Sequence, residues 1–480
     1  MGLKPYTSSY MKQYNRRDFL KVSGTIATTS ALAACGAKKG ESDIDLDPMG
    51  HHTDEVPTDK MTYRTNPKTG DKVSILGYGW MRLPTCKGGS ARDANNPNND
   101  EIDQEEVNRL TNYALAHGVN YFDTSPAYCR GKSEESLGIA LQQSGYPRDQ
   151  YFIATKLSNF SPSQWSFEEG CKMFENSLRY LQTNYVDYLL LHSVGGGGLQ
   201  NLSQRYLDNG LLQWLMEQRE KGRIRNLGFS FHGDVAVFDW ALAHHDDYHW
   251  DFVQIQANYI DWNQADGRNV NGSYLYAELE KRGIPAVIME PLLGGRLSKV
   301  PDHVVAHLKQ RKPENSVASW AFRYIGSKPN VLTVLSGMTY LKHIEENART
   351  YSPLKPLNAD ELATLERAAQ TFISGDNIPC TACDYCMPCP FGLDIPGVFA
   401  QWNQAIVEDR LPDYPGDPGY AANRRRFLVD YERAIPRLRE AQRCIGCGRC
   451  APHCPQSIDI PGMLRKVDDF VEKLRRNGRA

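Results

Sequence analysis

The sequence contains no run of about 18 or more apolar residues, so nothing in it reads as a mature membrane span. It also lacks an excess of charge of one sign. Against 55 Lys and Arg stand 57 Asp and Glu, a formal net charge of −2. That balance argues against a strongly basic nucleic-acid binder and leaves no acidic tail to explain. What remains is a chain of 480 residues, 41% apolar, 10% aromatic and 23% charged, long enough for two or three domains with a sizeable core.

The N-terminal stretch reads as an address. Arg16-Arg17 with Phe19-Leu20-Lys21 resembles the twin-arginine export signal. Val22 to Ala34 is uncharged, moderately apolar and too short to span a bilayer. Leu32-Ala33-Ala34-Cys35 resembles a bacterial lipobox, which would make Cys35 a lipidated residue after cleavage of residues 1–34. Residues 35–70 are polar and suit a tether. The expectation is an exported protein on the periplasmic or cell-surface side of a bacterial membrane, held only through a lipid anchor.

Eight of the 12 cysteines fall in two short runs. The first is Cys380-x2-Cys383-x2-Cys386-x2-Cys389-Pro390; the second is Cys444-x2-Cys447-x2-Cys450-x3-Cys454-Pro455, the spacing of bacterial ferredoxins. A cubane cluster needs four converging thiolates. Three come readily from a tight loop and the fourth from a remote position. Zinc prefers separated cysteine pairs, and disulfides need an oxidising compartment; both are alternatives to two [4Fe–4S] clusters. After each run the chain repeats itself as Leu393-Asp394-Ile395-Pro396-Gly397 and Ile458-Asp459-Ile460-Pro461-Gly462, which suggests duplicated half-sites. By analogy with ferredoxins, Cys380, Cys383, Cys386 and Cys454 would share one cluster, and Cys444, Cys447, Cys450 and Cys389 the other. The x2 spacing before Cys389 leaves that crossing open. Residues 396–408 and 421–443 read as helices between the runs. The basic residues Arg424 to Arg426, Arg433, Arg437 and Arg439 are either a solvated helix face or a guide for an acidic partner.

From residue 71 to about 350 short apolar runs alternate with helical stretches. The strands expected are Val73–Leu76, Val119–Phe122, Tyr151–Thr155, Val186–Leu191, Ile224–Phe229, Phe252–Ile255, Ala286–Met289 and Val331–Leu335. Helices are expected at Glu105–His117, 134–143, 168–181, 211–221, 234–243, 273–282, 315–324 and 340–349. Asp103 with Glu106 resembles a capping box, and Gly118 a stop. Eight such units predict a (β/α)8 TIM barrel over residues 71–350, then a connecting helix in 351–378 and a small, mostly helical ferredoxin-like domain at 379–480. An open doubly wound sheet is disfavoured because no G-x-G-x-x-G follows the first strand.

The strand ends carry Asp123-Thr124-Ser125-Pro126-Ala127-Tyr128, then Lys156, then His192, followed by Gly131-Lys132-Ser133-Glu134 in the loop after the second strand. In these motifs the chain resembles the aldo/keto reductase family across residues 71–350. The resemblance implies a catalytic tetrad of Asp123, Tyr128, Lys156 and His192. Carbonyl reduction needs a proton donor beside the oxygen, and a tyrosine of pKa about 10 works better with an ammonium beside it. Asp123 would hold Lys156, and His192 would orient the carbonyl. The resemblance also places Ser230 and Gln254 at a nicotinamide carboxamide, and Ser336, Gly337 and Asn347 at its phosphate end. Phe231 and Met289 stand where the family often has Asn and Tyr. Gly337 and His343 replace the basic grip on a 2′-phosphate, so NAD(P) is expected without support for NADP preference.

Cys86 and Cys129, in loops near the mouth, are spare thiols, a disulfide or substrate contacts. The polar insert 87–101 is a lid or a tolerated surface insertion. As a whole the chain resembles a subgroup of aldo/keto reductase-like proteins with a ferredoxin module. The reading is an oxidoreductase acting on a small, sugar-like carbonyl or alcohol, with two clusters serving a membrane or periplasmic electron-transfer partner and with no nucleic acid involved. The competing reading is a tethered electron-transfer or binding module whose barrel has lost nicotinamide chemistry.

Overall fold

The computed structural model describes residues 47–90, 101–265, 270–373, 377–408, 410–412, 419–456 and 458–476. The signal-like segment, Cys35 and the centre of the 87–101 insert lie outside them. No described helix is long and apolar enough to cross a membrane.

Strands β1 (Tyr63–Thr65) and β2 (Lys72–Ser74) form an antiparallel hairpin. Eight parallel strands follow: β3 (Leu76–Gly79), β4 (Tyr121–Asp123), β5 (Phe152–Leu157), β6 (Val186–Val194), β7 (Ile224–Phe231), β8 (Phe252–Gln256), β9 (Ala286–Met289) and β10 (Val331–Ser336). They pair in chain order, and β10 closes on β3 to make the barrel. The period-2 alternation of each strand sends one set of side chains inward, where Tyr121, Ala154, Tyr188, Leu190, Phe252 and Val287 fill the lumen. The outward set packs under the helices. The first of these, Gln104–Ala116, is capped as expected, Asp103 Oδ1 accepting from Glu106 N–H at 3.0 Å.

Three expectations need correction. The run Val73–Leu76 is not one strand. Asn120 Oδ1 takes the Ser74 N–H (2.8 Å) and Ser74 Oγ donates to Leu76 O (2.7 Å), so the chain breaks at Ile75 and the barrel strand begins at Leu76. Val73 is nonetheless buried with the lumen residues. The described part of the polar 35–70 stretch is no free tether either. Val56 and Met61 are buried in the barrel core, and Val317 N–H donates to Pro48 O (2.8 Å) and Thr62 N–H to Tyr351 O (2.9 Å). Two apolar anchors and a strand's worth of backbone bonds outweigh the polar composition. Finally, the helix expected over 421–443 spans Tyr420–Ala434; Pro436 stops it, and two short turns lead to Cys444.

The helix Ala359–Ile373 packs on the barrel flank, with Leu365, Ala368 and Phe372 against Val304, Val305 and Leu308, and a buried Arg323–Glu361 ion pair at 2.8 Å. Beyond it, helices Ile395–Val407, Tyr420–Ala434 and Ile460–Arg476 enclose a separate small core of Phe399, Trp402, Phe427, Tyr431, Val467 and Val471. The repeated Asp-Ile-Pro-Gly has a local cause. Asp394 Oδ1 accepts from Gly397 N–H (3.0 Å) and Asp459 Oδ1 from Gly462 N–H (3.1 Å), each capping a helix with proline at its second residue.

Candidate active site and cluster cysteines

Strand alternation also builds the site. Asp123, Lys156 and His192 each lie two residues beyond a lumen residue, namely Tyr121, Ala154 and Leu190, and so form the next inward layer at the C-terminal ends of β4, β5 and β6. Lys156 Nζ donates to Asp123 Oδ1 at 2.6 Å and to Thr124 O at 2.8 Å, both side chains fully buried or nearly so. Burial pushes the Lys156 ammonium down and the Asp123 carboxyl up, and their contact pulls each back toward the charged form. Tyr128 follows β4, its ring centroid 5.0 Å from Lys156 Nζ and edge-on to His192 at 5.9 Å.

His192 Nδ1 meets Ser158 Oγ at 2.6 Å, and Ser158 Oγ meets Ser125 Oγ at 2.8 Å, which takes the Ala127 N–H at 3.1 Å. Donation running from Ala127 through both serines to Nδ1 satisfies each group and leaves the imidazole proton on Nε2. Desolvation, aided by Lys156 and Arg205, holds His192 well below the usual histidine range, hence neutral.

The residues expected to hold a nicotinamide are only partly brought together. Gln254, Ser336, Gly337 and Asn347 line the cavity over the tetrad. Gln254 Oε1 is buried without a hydrogen-bond partner, a fit for a carboxamide N–H, and Asn347 Nδ2 donates to Ser336 Oγ at 3.0 Å. Ser230 is not among the lining residues; its Oγ accepts from Ser193 N–H at 2.8 Å. Phe231 is buried against Phe238.

The cysteines fall into two sets. Cys380, Cys383, Cys386 and Cys454 line one small cavity. Cys450 is surrounded by Cys444, Cys447 and Cys389. This is the crossed pairing. Among the described residues no group of three or more His, Cys, Asp and Glu side chains closes on a single metal ion, whereas the first four thiols ring a shared space, the arrangement that a cubane needs. Cys380, Cys386, Cys389, Cys444, Cys447 and Cys450 are not in disulfides. Cys86 is exposed and Cys129 is buried, its Sγ 3.7 Å from Trp80 O; neither lines the cavity.

That cavity, about 740 Å³, joins the two parts of the chain: Asp123, Tyr128 and His192 line it, and so do Cys380 and Cys383. The domain carrying the cysteines is pinned over the barrel mouth. Arg82 Nη2 donates to Thr381 O at 2.6 Å, and the amides of Gln256 and Gln456 exchange reciprocal bonds at 3.1 Å. Phe160 stands 4.9 Å from the His192 ring and 6.0 Å from that of Tyr385, which lies between Cys383 and Cys386. Sequence reasoning missed Trp80, Arg82, Ser158, Phe160 and Thr381. Only Ser158 had a signal, two residues past Lys156 on the same strand face.

A barrel with a tetrad at its strand ends, capped by a four-plus-four cysteine domain, defines an iron–sulfur oxidoreductase. Residues 77–370 match the aldo/keto reductase family and residues 379–458 the 4Fe-4S dicluster domain. The chain belongs to the aldo/keto reductase family and carries a C-terminal dicluster domain. L-galactose dehydrogenase of Arabidopsis thaliana is 25% identical over 318 residues, 63% of this chain and 92% of that protein. D-arabinose 1-dehydrogenase of Saccharomyces cerevisiae is 28% identical over 184 residues, 38% of this chain and 48% of that protein. The holo form of an aldo-keto reductase from Bacillus halodurans superposes with a TM-score of 0.50 at 22% identity, covering 64% of this chain and 96% of that one, a likeness of fold.

Proposed function

We propose that the protein interconverts a carbonyl and an alcohol on a sugar-like substrate and exchanges the electrons with a redox partner through its clusters. The observation that carries this is the single cavity bordered by Tyr128 and His192 on one side and by Cys380 and Cys383 on the other. Tyr128 exchanges a proton with the substrate oxygen. Lys156, anchored by Asp123, keeps a positive field behind the phenol, and neutral His192 donates from Nε2 to orient the oxygen. When bound, each cluster would supply a one-electron site, so the two electrons of a hydride would reach the pair one at a time only through a hydride-to-electron converter such as a flavin. Sugar-class chemistry is supported by the names of the two dehydrogenases above.

A nicotinamide is the hydride carrier this reading expects, supported by Gln254 and by the Ser336–Asn347 pair. The second reading, a barrel without nicotinamide chemistry, is favoured by Ser230, whose hydroxyl serves the backbone away from the cavity. The partner docks beside the second cysteine set. Cys447 is exposed there, with Ile445 (66% exposed) and Leu438 (69%) nearby in sequence and exposed Arg437, Arg443 and Arg449 around them. That composition fits an acidic redox protein. Export by the twin-arginine route and a lipid anchor at Cys35 complete the proposal, on the motifs alone.

The test is anaerobic purification with clusters intact, then visible and EPR spectra during titration with NADH, NADPH, dithionite, L-galactose and D-arabinose. Sugar-dependent cluster reduction that needs NAD and fails in Tyr128→Phe supports the proposal. Reduction by dithionite alone transfers the argument to the second reading.

A further inference from the structure

Unpaired polar atoms in a protein interior are uncommon, because burial without a partner costs free energy. Of the eleven such atoms among the described residues, five belong to residues that border the cavity over the tetrad: His232 Nδ1 and four others. Trp80 Nε1, Asp123 Oδ2, Gln254 Oε1 and Thr381 Oγ1 are all buried without a hydrogen-bond partner, and all four residues border the cavity over the tetrad. The first three come from the barrel. Thr381 comes from the dicluster domain, between Cys380 and Cys383, and is 2% exposed.

Its placement is enforced from both sides. Arg82, just past β3, holds its carbonyl oxygen at 2.6 Å. Gly294, past β9, sits so close that a Cβ there would come within 2.5 Å of the Thr381 Cα and Cβ, and its φ of +68° is a conformation glycine adopts freely. The barrel is thus shaped to receive this loop, and the hydroxyl it brings is left unsatisfied.

The geometry points to a ligand site completed by the dicluster domain, in which the Thr381 hydroxyl hydrogen-bonds the substrate held over the tetrad. This rests on the sugar-like substrate proposed above and adds a specificity residue from outside the barrel. With Gln254 Oε1 left to the nicotinamide carboxamide, the chemistry of the other three atoms suits that class: an indole N–H needs an acceptor, a carboxylate oxygen needs a donor, and a threonine hydroxyl takes either role. A polyhydroxylated molecule offers both. Thr381 neighbours two cluster cysteines, so a sugar bound more tightly in one redox state of that cluster would shift its redox equilibrium by the same factor.

The experiment uses the full chain with clusters loaded, and L-galactose and D-arabinose as probes. Binding is measured by calorimetry on the wild type, Thr381→Val and Thr381→Ser. The expected result is a roughly tenfold weaker Kd in Thr381→Val, with Thr381→Ser close to wild type and iron content equal in all three. The second readout is the midpoint potential of the clusters with and without saturating sugar. A tenfold difference in affinity between redox states moves a one-electron potential by about 59 mV, and the shift should vanish in Thr381→Val. If a sugar binds the wild type and Thr381→Val equally well, Thr381 is not a contact and the inference falls while the substrate reading stands. If neither sugar binds the wild type, the substrate reading fails and this inference fails with it. Loss of iron in Thr381→Val leaves Thr381→Ser and the wild-type potential shift to decide, and an unmoved wild-type potential overturns the linkage.

Discussion

The two cysteine runs share a Cys-x2-Cys-x2-Cys core, a proline after the fourth cysteine and the same helix-capping repeat, yet the cysteine sets they build occupy different surroundings. The first set borders the cavity at the barrel mouth, with Cys380 and Cys383 in its lining. In the other set Cys447 is exposed, and Ile445 and Leu438 lie open to solvent. Two runs with the same Cys-x2-Cys-x2-Cys core produced one inward and one outward site because the first loop leans on the barrel through Arg82, Gly294 and Phe160, while the second run reaches the barrel only past Cys454, at Gln456. An inward site suits exchange with whatever the tetrad holds; an outward site suits exchange with another protein.

The largest expected effect tests whether chemistry begins at the tetrad at all. Tyr128→Phe should lower carbonyl–alcohol turnover by about 10²–10⁴-fold, the usual worth of a positioned proton donor, with iron content and the visible spectrum unchanged. Steady-state kinetics on cluster-loaded protein reads this directly, and unaltered turnover removes the catalytic assignment.

The next pair would break the inward–outward distinction if it is wrong. Cys447→Ala should remove the outward cluster but leave substrate-driven reduction of the inward one visible by EPR. Cys383→Ala should abolish substrate-driven reduction of the outward cluster. Identical spectra from the two variants would show that the sets are equivalent.

A smaller effect concerns the arginines. The triple change Arg437→Glu, Arg443→Glu, Arg449→Glu should slow reoxidation of the reduced protein by ferricyanide, an anionic oxidant, by about tenfold at low salt and flatten the salt dependence. Stopped-flow rates unaffected by salt in the wild type would argue against a charged docking face.

The smallest is Gln456→Ala. It removes the reciprocal amide bonds to Gln256 and should destabilise the docked domain by about 1 kcal/mol, read as earlier loss of cluster absorbance in urea.

These tests also separate what was legible in the sequence from what was not. Barrel, tetrad and cysteine sets were legible because each depends on short-range regularities: strand alternation, strand-end motifs and x2 spacings. The first strand was misjudged because an apolar run does not record that Ser74 turns its polar groups inward. The segment after residue 46 was misjudged because a polar composition hides two anchors, Val56 and Met61. Trp80 and Thr381 carry no motif at all; their significance is that a buried polar atom on each has nothing to bond.

The sequence by itself determined that the chain is an aldo/keto reductase-type barrel with eight cluster-spaced cysteines, since hydrophobic periodicity and ligand spacing are properties of neighbouring residues. Only the tertiary structure decided that the cysteine domain closes over the barrel mouth, that one cysteine set faces the tetrad and the other faces out, and that Thr381 enters the same cavity as Tyr128. Those facts depend on contacts between residues far apart in the chain, Gly294 with Thr381 (381 − 294 = 87 positions) and Arg82 with Thr381 (381 − 82 = 299 positions), and no local pattern encodes them.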